Sequence, residues 1–95
     1  MSNNIVLYKL VSGEEIVAKE ISVSDSVTMI DEAVSLVYHQ TDTGVSVGFA
    51  PFMPQSEGTI ALWHSAIAAV AEPNPQVVKE HIRIFSGIVL ASGNV

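Results

Sequence analysis

Two β-branched runs separated by Ser12-Gly13 constrain this chain more than any other feature. Ile5 to Val11 reads IVLYKLV, and Glu14 to Val23 reads EEIVAKEISV. Branched side chains lose freedom in a helix and pack well on a pleated surface. A glycine between them supplies the positive φ that a tight turn requires. The pair therefore predicts an antiparallel hairpin. Along its second strand Ile16, Ala18, Glu20 and Ser22 share one face, and Val17, Lys19, Ile21 and Val23 share the other. Apolar residues on both faces predict a strand partly buried on both sides, as in a small barrel.

The same alternation of strands and turn signals continues. Ser24-Asp25-Ser26 is a turn, because short polar side chains bond their own backbone. Val27 to Ile30 and Val34 to His39 are strand-like, with Asp31-Glu32 between them as a bulge in one long strand or a break between two. Thr41 to Gly44 is a turn and Val45 to Phe49 a strand. Pro51 and Pro54 bracket a loop that runs to Gly58, since proline cannot donate to a ladder. Thr59 to Glu72 (TIALWHSAIAAVAE) is open between helix, on its alanines, and a long bent strand. Asn74 is a good helix cap and Pro75 a good first helical residue. Val77, Val78, His81, Ile82 and Phe85 recur at helical spacing, opposite Lys79, Glu80 and Arg83. A helix is expected over about 75–86, capped by Ser86-Gly87. A short apolar tail over 88–95 follows, with Ile88 to Leu90 packing as a strand.

Composition adds the assembly. The chain of 95 residues suits one domain, 1–95, with a modest core. Hydrophobic residues are 48% and charged residues 15%, against about 25% charged in an average domain. That surplus of apolar surface predicts burial between subunits. The formal charge is −6, and Lys9, Lys19, Lys79 and Arg83 are scattered singly, so no basic track for phosphates is expected. With no cysteine there is neither a disulfide nor a thiolate site. Met1 to Asn4 lacks the pattern of a secretory leader, and the apolar stretch from Ile60 to Ala71 is too short to span a membrane. A soluble cytoplasmic protein is expected.

Two stretches carry a family resemblance. Leu10 to Ala33 (LVSGEEIVAKEISVSDSVTMIDEA) resembles the first signature of the Sm/LSm family, with Gly13 on the turn glycine, Ala18 on the small residue and Asp25 on the turn aspartate. Trp63 to Val70 (WHSAIAAV) resembles the second, above all as it stands in the bacterial Sm-like RNA chaperone; Ala66, Ile67 and Val70 match and Trp63 falls on the aromatic. The opening K-L-V-S-G-E-E and the C-terminal helix are also similar to small Sm-like proteins of tailed marine phages of cyanophage type. The resemblance turns the open segment toward strand. It implies a mainly β fold, a small five-stranded Sm-like (SH3-like) barrel over about 4–72 with a C-terminal α-helix. It also implies a homo-oligomeric ring of roughly five to seven subunits, closed head to tail through strand edges. In a phage setting the compartment would be the host cytoplasm.

The resemblance further implies single-stranded RNA binding at a central pore, by Val27, Thr28, Trp63, His64 and Ser65. Here the sequence departs from the pattern. Val27 and Thr28 stand where an aromatic or apolar residue and an asparagine hold a base in the loop before the third strand. His64 stands where the family has lysine, and Ser65 where it has histidine. The family's N-terminal helix has no counterpart, and the C-terminal helix is expected to take its place. The alternative is a ring that serves as a scaffold or protein adaptor without RNA, with Phe52-Met53 as an exposed anchor; otherwise Met29, Phe52 and Met53 are core. His39, His64 and His81 have no metal-ligand spacing. Asp25, Asp31 and Glu32 read as a solvated turn and bulge. No segment supplies a nucleophile, base and orienting acid. No catalytic residue, metal or cofactor is expected.

Overall fold

The computed structural model describes the backbone of residues 4–93 and the side chains of residues 4–86. The strands are β1 (Ile5–Leu10), β2 (Glu15–Val23), β3 (Val27–Thr41), β4 (Gly44–Pro51), β5 (Ile60–Trp63) and β6 (Ile67–Ala71). A single 3-10 turn, His64–Ala66, separates β5 from β6, and helix α1 (Pro75–Gly93) follows. The hairpin of β1 and β2 forms as expected, with Leu7 opposite Val17 and Gly13 at φ 98°. The sheet is antiparallel, in the order β4-β3-β2-β1-β6.

Strand β3 organises the rest because it carries three partners. One edge pairs with β2; along the other edge β5 takes Val27 to Ile30 and β4 takes Val34 to Thr41. The division falls at a bulge. Val17 lies opposite Val34 but Lys19 lies opposite Asp31, so β3 holds one residue more than β2 in that interval. Glu32 takes the extra position in the left-handed region at φ 50°. A second irregularity gives β2 the extra residue, Ile21, between the pairs Glu20–Ile30 and Ser22–Met29. Bulges bend a strand and increase its twist, and two in neighbouring strands curl the sheet over its core. The bulge expected at Asp31-Glu32 is therefore present, inside one continuous strand.

The core is Tyr8, Leu10, Ile16, Ala18, Ile30 and Leu62, with Val6, Ala33, Phe52, Ile60 and Ile67 packed against it. Val17 and Val34, paired across β2 and β3, are buried outside that cluster. Ile16, Val17 and Ala18 are all fully buried, so β2 is covered on both faces there. Each large aliphatic side chain buried in this way stabilises the fold by about 1.5–3 kcal/mol. Helix α1 is anchored at the bulge: buried His81 donates from Nε2 to the Glu32 carbonyl at 2.7 Å. Asn74 caps the helix, its Oδ1 accepting from the Val77 amide at 2.9 Å.

Four features differ from the sequence-based expectation. There are six strands, because Thr59 to Glu72 forms two strands around a turn. The hydrogen-bonded path is open: among the described residues no ladder joins β6 to β4 or β5. The helix passes through Ser86-Gly87 to Gly93 and takes in Ile88 to Leu90, which were expected as a strand. One interior glycine costs a helix only about 1 kcal/mol; the last two residues of the expected tail lie outside the described residues. Finally, Met53 is 47% exposed and Ile82 is 37% exposed, although both were expected on packed faces. No helix among the described residues is long and apolar enough to cross a membrane.

Candidate nucleic-acid interface

The turn before β3 and the turn after β5 are tied together by backbone bonds. In the first, the Ser24 amide donates to the Val27 carbonyl at 2.9 Å, and Ser24 Oγ donates to the same oxygen at 3.0 Å. The short hydroxyl thus closes the Ser24–Ser26 turn on itself. From it the His64 amide reaches the Ser26 carbonyl at 2.9 Å. The Val11 amide holds the far end of the second turn through the Ala66 carbonyl at 2.8 Å. Antiparallel pairing then sets Val27 opposite Trp63 and Thr28 opposite Leu62.

This arrangement brings two of the five expected residues into contact and sets two others, Val27 and Trp63, opposite each other in the ladder. Thr28 Oγ1 and His64 Nε2 lie 2.9 Å apart, in a hydrogen bond whose donor follows the imidazole tautomer. Trp63, paired with half-buried Val27, lies on the other face of the ladder from Thr28 and Leu62 and outside the groove lining; it is 59% exposed, which leaves much of its ring open to solvent. Ser65 lies exposed in the 3-10 turn, with no hydrogen bond from its hydroxyl among the described residues. Val27 and Thr28 open β3, as their strand composition predicts, where the family pattern has a loop; Thr28 is buried, so its hydroxyl serves His64.

An open groove of about 520 Å³ runs from the Thr28–His64 pair. Val23, Ile67 and Val70 supply apolar walls, and Tyr8 and Glu20 lie along it. Tyr8 is fully buried and donates from its hydroxyl to Glu20 Oε2 at 3.0 Å. Burial first, and then the bond to Glu20 and its negative charge, hold the Tyr8 proton well above the ordinary tyrosine range. Neither Tyr8 nor Glu20 was expected at the site. The signal available was Glu20 itself, a charge on the same strand face as Ile16 and Ala18.

No lysine or arginine lines the groove. Lys9 pairs with Glu15 at 3.6 Å and Arg83 pairs with Glu80 on the helix, both at the surface. The histidines have separate surroundings: His64 faces Thr28, His81 anchors the helix, and His39 lies beside Gly48 on the β3–β4 ribbon. What the groove offers a ligand is a hydroxyl–imidazole pair, one carboxylate and apolar walls, with the exposed Trp63 ring outside it. Neither a family model nor a curated protein matches the chain.

Proposed function

We propose that the protein is an Sm-like, ring-forming protein that binds single-stranded RNA where the two signature segments pair, with exposed Trp63 as the stacking surface. The observation that supports it most is the convergence of the two signature segments, which pair as β3 and β5 and leave a tryptophan largely exposed. An aromatic face open to solvent stacks bases of any kind. The strand order is compatible with a small barrel, in which the His64–Ala66 turn carries the chain from β5, on β3, to β6, on β1. No chemistry is assigned to the site, so the protein is read as a binder and not an enzyme.

The ring rests on charge and edges. Of the chain's ten acidic and four basic residues, Glu57 alone lies between Gly44 and Ala71. That segment includes β4, β5 and β6, none of which has a strand on its outer side among the described residues. Open edges without charge are templates for another chain, and Val45, Val47 and Val70 are largely exposed there. Pairing such edges head to tail closes a cyclic assembly, in this family of roughly five to seven copies.

With no lysine or arginine in the groove among the described residues, stacking dominates the affinity. Trp63→Ala is expected to weaken binding of a labelled oligonucleotide at low salt, by about 1–3 kcal/mol for a stacked base. Fluorescence anisotropy reads this directly, and binding that is equal in the variant would overturn the assignment. A second reading, a ring that acts as a protein scaffold, is favoured by the formal charge of −6, which opposes RNA. An intact ring that binds no oligonucleotide would select it.

A further inference from the structure

We infer that the groove beside the Thr28–His64 pair reads the edge of a nucleobase through Glu20, and prefers bases that carry an amino group to uracil. This rests on the RNA-binding reading above. Glu20 is half-buried, and Tyr8 fixes it by donating to Oε2 at 3.0 Å; since Tyr8 is itself fully buried, the carboxylate is held in one place. Among the described residues its other oxygen, Oε1, has no hydrogen bond, and no lysine or arginine pairs with it. The groove thus presents an oriented acceptor between apolar walls, in a volume of about 520 Å³. That is within the roughly 300–1,000 Å³ of small-ligand pockets.

A carboxylate only accepts hydrogen bonds. Adenine, cytosine and guanine each bring an exocyclic N–H to it, as acidic side chains take the cytosine amino group in DNA. Uracil brings one N3–H flanked by two carbonyl oxygens, so binding sets acceptor against acceptor. Val23, Ile67 and Val70 suit the faces of a flat ring, and the Thr28–His64 pair supplies polar atoms at its edge. Phosphate is not the anchor here, because no lysine or arginine lines the groove among the described residues and Glu20 repels it.

The test uses the intact protein and three labelled probes: short oligo-adenosine, oligo-cytidine and oligo-uridine, at low salt. Adenosine and cytidine are expected to bind about tenfold more tightly than uridine, as one hydrogen bond to a charged acceptor allows. Glu20→Gln keeps an oxygen for Tyr8 and adds an N–H that can meet a uracil carbonyl, so the preference is expected to collapse in a variant with unchanged circular dichroism. Equal binding of all three probes, weakened by Trp63→Ala, would overturn the base preference and leave the RNA reading standing. Binding of none would overturn both. Tight binding of agmatine that Glu20→Gln abolishes, with no discrimination among the oligonucleotides, would assign Glu20 to a cationic partner instead.

Discussion

The segment from Ile5 to Thr41 and the segment from Gly44 to Ala71 are both strand-rich, yet they use their apolar residues in opposite ways. The first supplies Tyr8, Leu10, Ile16, Val17, Ala18, Ile30 and Val34 to the buried interior, and it carries most of the chain's charge. The second supplies Leu62 as its one fully buried apolar side chain. It leaves Val45, Val47, Met53, Trp63 and Val70 exposed and carries a single charge, Glu57. A stable fold needs the first kind of segment. The second kind is left unfinished in the single chain, and it is where surfaces for other molecules are expected.

The comparison can be broken by substitution. The largest effect on the fold is expected at Ile16, which is fully buried under β1 and β3. Ile16→Ala should cost about 2–5 kcal/mol by lost burial and a cavity, read by denaturant unfolding. A loss under about 1 kcal/mol would mean that the core can collapse around the gap. Next is the edge. Val47→Lys places a charge on β4, 46% exposed in wild type, and should leave circular dichroism unchanged while light scattering reports a smaller species. An unchanged oligomer would remove β4 from the contact.

The smallest effect is one of pH, and it arises in the first segment. Burial, then the Glu20 bond, raises the pKa of Tyr8; the Glu15 bond raises that of exposed Tyr38. The folded chain therefore keeps these protons to higher pH than the unfolded chain. Their contribution is complete below the ordinary tyrosine value, about pH 10, and is lost as pH rises through the folded values. Unfolding midpoints should hold up to about pH 10 and fall above it, by up to about 1.4 kcal/mol per pH unit for Tyr8. Tyr8→Phe should flatten that slope; a slope unchanged in the variant would place its origin elsewhere.

Local residues made much of this architecture legible. Gly13 marked the hairpin because only a residue without a side chain takes φ 98° freely. Asn74-Pro75 marked the helix start, since capping chemistry is local. Asp31-Glu32 marked the bulge that separates β4 from β5 along β3. The helix end was not legible: Ser86-Gly87 has the composition of a cap, and whether a glycine ends a helix depends on what surrounds it. At the candidate site Trp63 and His64 were visible in the second signature stretch. Glu20 and Tyr8 were not, because their role depends on which groove the curled sheet leaves open.

By itself the sequence determined the order of strands and turns as far as Phe49, the N-terminus of the helix and the surplus of apolar surface, because each is set by residues within a few positions of one another or by composition. Tertiary structure alone decided that Thr28 spends its hydroxyl on His64, that His81 holds the helix to the Glu32 carbonyl, and that Tyr8 orients Glu20. Those partners lie 36, 49 and 12 residues apart in sequence. Such pairs meet only when β2 and β3 bend at their bulges and bring distant strands over one core, and that curvature is a property of the whole sheet.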